Sequence, residues 1–131
     1  MEIICLDTSV LVEYYRSKDK SKSFWFALSM KYQFNIPAVV KYEILRGDKK
    51  KDKFWINIFE YISILPFDTE CAEIASEIYQ LLKGKNQLVG SDDIMIAATA
   101  KKNKLKIATV NSEHFYRIEG IKIISPKDLN L

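Results

Sequence analysis

The sequence predicts an α/β fold in three layers, α/β/α, with a central, mostly parallel sheet. Three observations carry this. Short apolar runs rich in β-branched residues alternate with segments of helical spacing along the whole chain. The 131 residues are 48% hydrophobic with four Gly and three Pro, the balance of one packed core. No repeat, linker or low-complexity tract divides them, so residues 1–131 are expected to form a single domain.

The first run, Glu2 to Leu6, is a buried strand, and Asp7-Thr8-Ser9 after it can start a helix through VLVEYY, capped by Ser9 or Thr8. From Ser21 to Tyr32, Phe24, Ala27, Leu28 and Lys31 fall on one helical stripe, with Trp25 and Tyr32 beside it. Phe34 to Ile36 reads as a short strand stopped by Pro37, followed by the helix AVVKYEILRG, which Gly47 closes. After a charged run, Phe54, Trp55, Ile58, Phe59 and Ile62 have helical spacing, and ISILPF is a strand. Asp68-Thr69 caps a helix from Glu70 to Lys83 with Cys71, Ile74, Ala75, Ile78 and Leu82 inward. Loop chemistry from Lys85 to Asp93 opens onto Ile94 to Ala100, apolar on nearly every face and therefore central. Leu105 to Val110 is a strand, Asn111 to Ile118 a short helix or turn, and IKII after Gly120 a last strand.

The charge of +3 is too small for a chain that coats nucleic acid by bulk electrostatics, so any such ligand must be held locally. Apolar runs fall far short of a membrane span, and Glu2 and Asp7 near the start are foreign to a secretion signal; a cytoplasmic location is expected. Cys5 and Cys71 read as buried apolar side chains and not as a disulfide or metal knuckle.

Three acids each border a strongly apolar element: Asp7 after the first strand, Glu43 among Val39, Val40, Ile44 and Leu45, and Asp93 at the head of the most apolar helix. Carboxylates are rarely buried without a partner. In a parallel sheet, ligands gather beyond the carboxyl ends of the strands, where Asp7 lies. If the three converge, their repulsion calls for a counter-charge, and oxygen donors select Mg²⁺ or Mn²⁺. Taken singly each has an ordinary reading: Asp7 as a helix cap, Glu43 paired with Lys41 or Arg46, Asp93 complementing a helix dipole. Asp92, about 100° away from Asp93 on a helix, is expected to face the loop and serve only the helix end.

The motifs Asp7-Thr8-Ser9, Glu43 within YEILRG with Gly47 in register, and Asp93 within DIMIAATA, followed by Thr109-Val110-Asn111, together resemble the signature of the PIN-domain family, and in particular its VapC branch of ribonuclease toxins. The resemblance spans nearly the whole chain. It implies a metal-dependent endoribonuclease of a toxin-antitoxin pair, with Asp7, Glu43 and Asp93 holding Mg²⁺ or Mn²⁺. It also implies an RNA substrate, a small antitoxin whose tail blocks the acidic groove, and a homodimer. The chain departs from the pattern at the fourth acid: three residues after Asn111 stands His114, the only histidine. His114 can hydrogen-bond water or phosphate, or simply face solvent; Glu113 beside it points elsewhere, and Ser9 and Asn111 are the better candidates for orienting carboxylates and water.

Lys18, Lys20 and Lys22, with Lys49, Lys50, Lys51 and Lys53, can form a basic rim for RNA or be solvated loops. Tyr14, Tyr15 and Tyr42 can stack bases or pack inward, whereas the spacing of Trp25 assigns it to the core. Two competing functions remain at this level. An aspartyl phosphatase of the HAD type would need a second Asp where Ser9 stands, and a PIN-like fold can bind RNA or protein without turnover.

Overall fold

A computed structural model describes all 131 residues. Five strands, β1 (Glu2–Leu6), β2 (Tyr32–Pro37), β3 (Ser63–Leu65), β4 (Ile107–Ala108) and β5 (Ile123–Ile124), form one sheet in the order β3-β2-β1-β4-β5. Every pairing is parallel. The helices are α1 (Thr8–Arg16), α2 (Phe24–Ser29), α3 (Ala38–Gly47), α4 (Lys53–Tyr61), α5 (Thr69–Gly84) and α6 (Ser91–Lys102).

The strand order explains the layers. The chain runs outward from β1 to β2 to β3, then returns past β1 to β4 and continues to β5. Right-handed crossovers in opposite directions place their helices on opposite faces, α1 to α4 on one and α5 with α6 on the other. The turning point lies between β1 and β4, where Cys5 pairs with Ile107 and Leu6 with Ala108. Ligand crevices form at such a point, outside the carboxyl ends of the strands.

The core is continuous through both layers and includes Ile4, Leu6, Leu11, Phe24, Leu28, Ile36, Ile96 and Phe115. Helix α6 is central as its sequence suggests: Ile96, Ala97, Ala98, Thr99 and Ala100 are all fully buried, and α5 packs along it. Thr99 satisfies its hydroxyl by donating to the Met95 carbonyl at 2.8 Å. Both cysteines are free and buried, and burial pushes the Cys5 thiol up to about 12, the behaviour of a core side chain.

Several boundaries differ from the sequence reading, each for a local reason. The helix expected from Ser21 to Tyr32 splits into a 3-10 turn, Lys20–Lys22, and α2, because Ser23 Oγ accepts from the Phe26 amide and restarts the helix there. Tyr32 then joins β2. Helix α6 begins three residues earlier than expected, at Ser91, with Gly90 before it. The β4 ladder is shorter than its apolar run: the Leu105 amide is held by the Ala100 carbonyl, and the Val110 amide donates to Ser9 Oγ. Asp68 caps α5 as expected, accepting from the Cys71 amide at 2.9 Å.

Since Ile96 is enclosed by sheet and helix alike, Ile96→Ala should lower unfolding free energy by about 2–5 kcal/mol. Urea denaturation followed by far-ultraviolet circular dichroism measures it; a loss below ~1 kcal/mol would show that α6 is not the centre of the core.

Candidate active site

Asp7 leaves β1 at its carboxyl end, with its amide donating to the Ala108 carbonyl at 3.0 Å, so the neighbouring strand β4 fixes its backbone. It occupies the N-cap position of α1 but makes no side-chain cap bond. Its carboxylate is only 4% exposed and instead takes two hydroxyl donors on one oxygen: Ser9 Oγ and Thr109 Oγ1, each at 2.8 Å from Oδ2. The two hydroxyls are themselves held, Ser9 Oγ by the Val110 amide and Thr109 Oγ1 by the Asn111 amide. Oδ1 is left for the cleft, which Asp7 lines. Expectation and structure differ over Ser9 and Thr8 as caps of α1: Ser9 serves Asp7, and Thr8 serves Glu43.

Glu43 comes from α3, beside the stripe that Val39, Val40 and Ile44 bury. Thr8 Oγ1 donates to Glu43 Oε1 at 2.6 Å, tying α1 to α3 across the cleft. Arg46, one turn on, lies 3.8 Å from Glu43 Oε2 and 3.4 Å from Asp92 Oδ2. Asp93, in the first turn of α6, is 3.1 Å through Oδ2 from His114 Nδ1, in the 3-10 turn Ser112–His114 after β4. His114 therefore stands against the third acid. Asn111 lines the cleft, but its contribution to the hydrogen-bond network is its amide; its side chain bonds none of the carboxylates.

The result is an open cleft of about 1100 Å³ that receives Asp7, Glu43 and Asp93 from three distant segments. Asp92 also lines it, contrary to the expectation that it faces the loop and caps the helix. Because the helix starts at Ser91, both acids lie in its first turn, and Arg46 draws Asp92 toward α3. Of the two readings of the lysine clusters, the cleft does not take the basic rim. None of the seven lysines lines the cleft, and Lys20 is spent on the end of α1, its ammonium donating to the carbonyls of Tyr14, Tyr15 and Ser17. Trp25 packs against the core as its spacing predicts, stacked on Tyr14 at 4.8 Å, while Tyr42 stays more than half exposed.

Charge in this cleft is frustrated. Burial pushes the Glu43 carboxyl above its ordinary range, the Thr8 hydrogen bond pulls it back, and the charges of Asp92 and Asp7 push it up again. Burial likewise raises Asp93; the His114 charge offsets part of this, and Asp7 and Asp92 add to it. No three of these groups stand in ligating geometry with one another. Each is paired instead with a hydroxyl, guanidinium or imidazole group. The donor set is otherwise what a hard divalent cation takes: carboxylate oxygens on separate elements, with room for water. Asp7, Glu43 and Asp93 would hold it.

The model of the PIN domain matches residues 4–121. The chain belongs to the PIN domain family. Among relatives, the Methanocaldococcus jannaschii protein named Ribonuclease VapC1 is 34% identical over 124 residues, covering 92% of this chain and 85% of its own length. Ribonuclease VapC of Rickettsia bellii is 28% identical over 131 residues, covering 93% and 95%. Among solved structures, the DNA-bound VapBC of Salmonella typhimurium aligns with a TM-score of 0.79 at 27% identity, over 95% of this chain and 98% of that one. The three-layer PIN-like architecture expected from the sequence is thus the observed one.

Sequence reasoning missed four contributors: Thr8, Arg46, Asp92 and Thr109. Thr8 and Thr109 stand inside the motifs that surround the acids, and short hydroxyl side chains beside a buried carboxylate are the signal that marks them. Arg46 has the spacing of an ordinary i,i+3 pair with Glu43; its reach to Asp92 depends on how α3 docks on α6.

The raised carboxyls set a pH dependence. A group whose folded pKa exceeds its unfolded value binds its proton more tightly when folded, so it adds stability at low pH that is lost as pH rises through the folded value. Metal-free protein should therefore gain less stability than Glu43→Gln as pH climbs from the ordinary glutamate value of 4.5 toward neutrality. Thermal melts of both proteins across that window, in chelator, measure the difference. A constant gap between them would contradict the shift.

Proposed function

We propose that this chain is a metal-dependent endoribonuclease, the toxin of a toxin-antitoxin pair, which hydrolyses RNA phosphodiester bonds. The observation that carries the reading is the convergence of Asp7, Glu43 and Asp93 in one cleft at the turning point of a parallel sheet. Family membership and relatives named as ribonucleases support RNA as the substrate. The solved VapBC complex supports an antitoxin as the partner, and a homodimer is the assembly proposed from the family resemblance.

Mg²⁺ or Mn²⁺ bound by the three carboxylates would lower the pKa of water and neutralise charge gathering on the phosphate. The remaining work falls to the chain's own groups. Ser9 and Thr109 fix the Asp7 carboxylate on one oxygen, leaving the other to meet a ligand. Thr8 holds Glu43 at the mouth of the cleft, and His114 restrains Asp93 from the side of β4. Burial of Asp7 keeps the cluster's anchor from swinging into solvent.

Purified protein should cleave RNA in Mg²⁺ or Mn²⁺, lose activity in chelator and regain it when metal is restored. Asp7→Asn and Asp93→Asn should each lower the rate roughly a hundredfold or more, equivalent to about 3 kcal/mol of transition-state stabilisation. Persistent cleavage in chelator would remove the metal from the reading. RNA binding without turnover by the folded wild type would favour a binding module instead.

A further inference from the structure

A nuclease cleft must receive a polyanion, yet this one is lined by acids. Asp7, Glu13, Glu43, Asp92 and Asp93 line it, and the lysine clusters do not reach it. Among its lining residues the only guanidinium or ammonium groups belong to Arg16 and Arg46. They differ in circumstance. Arg46 is shared between Glu43 and Asp92, and its guanidinium lies 5.2 Å over the exposed Tyr42 ring, which keeps it extended at the rim. Arg16 ends α1, the helix that Thr8 begins, and makes no ion pair. The two cations are thus set on different helices, α1 and α3, around the same acids.

We propose that Arg16 and Arg46 are the phosphate-binding residues of the cleft, each engaging an RNA phosphate beside the bond to be cut. The inference rests on the nuclease reading and adds to it how the substrate backbone is held. Guanidinium suits the task, because its fixed fork matches phosphate oxygens in a way an ammonium does not. Arg46 would be free to leave Glu43 and Asp92 if a cation neutralised them, since 3.4 and 3.8 Å are loose distances and its own side chain is half-exposed. Arg16 needs no release. Its charge also complements the carboxyl end of α1, so the test must separate binding from helix stability.

The experiment is single-turnover cleavage of one short single-stranded RNA by excess protein, at fixed Mg²⁺ and several KCl concentrations. Wild type, Arg16→Ala, Arg46→Ala and the two lysine variants are compared. Removing a side chain that neutralises one phosphate should flatten the slope of log affinity against log salt by about 0.7, because fewer counterions are released. Arg16→Ala should raise the half-saturating protein concentration roughly tenfold with the rate at saturation unchanged. Arg46→Ala should flatten the slope equally and weaken binding by a similar factor, because with metal bound its guanidinium is no longer engaged by Glu43 and Asp92. Arg16→Lys and Arg46→Lys keep the charge and should keep the wild-type slope, with weaker binding. Wild-type slopes in both alanine variants, with cleavage intact, overturn the phosphate role and leave the nuclease reading standing. No cleavage by folded wild type in any metal overturns the nuclease reading itself. A melting temperature lowered in Arg16→Ala with the slope unchanged would assign that residue to the helix end alone.

Discussion

Asp7 is a carboxylate placed where proteins rarely tolerate one, 4% exposed at the seam between β1 and β4. An ionised group so enclosed costs several kcal/mol unless hydrogen bonds replace its water. The structure meets that requirement with two hydroxyls from opposite sides of the seam, one on α1 and one just past β4, each fixed in turn by a backbone amide. Much of the site's geometry follows. Because Ser9 must reach Asp7, α1 starts at Thr8, which puts the Thr8 hydroxyl in range of Glu43 and so sets the distance from α1 to α3. Thr109 reaches it from just past β4 with its amide still on the Ile124 carbonyl, and the Val110 amide then turns to Ser9, after which the chain brings His114 against Asp93.

Around this anchor the other acids hold a looser arrangement. Glu43 and Asp93 are raised by burial and by the charges of Asp7 and Asp92; Glu43 is restrained by the Thr8 hydroxyl and half-exposed Arg46, and Asp93 by the half-exposed His114 imidazole. One well-satisfied carboxylate beside several frustrated ones suits the proposed capture of a cation and then a phosphate. The rigid member defines position, and the others have something to gain by moving toward a counter-charge.

Elements with strong periodicity were legible in the sequence: β1, α3 and the apolar run of α6 lie where their patterns put them. Legibility failed where side chains compete with the backbone. Ser23 restarts a helix that the apolar stripe alone would carry on to Tyr32, and Ser9 captures the Val110 amide that would otherwise extend β4. At the site, three widely separated acids were readable because each interrupts an apolar element. Asp92 was not, since an angle of 100° on an ideal helix says nothing of an arginine that arrives from another helix. The lysine runs left two readings open for a related reason: sequence clustering records proximity along the chain, whereas Lys20 is folded back onto the carbonyls of α1.

The dependence of the site on its buried anchor is most directly tested at Thr109, which bonds Asp7 but none of the cleft's other acids and does not itself line the cleft. Thr109→Val keeps the shape and removes both a donor to Asp7 Oδ2 and the acceptor of the Asn111 amide. Titration of Mn²⁺ into this variant, with circular dichroism to verify the fold, should show affinity lowered about 10- to 100-fold, the range seen when groups supporting metal ligands are removed. Affinity equal to wild type in the folded variant would mean that Asp7 does not need its hydroxyl cradle, and that the site is organised from somewhere else.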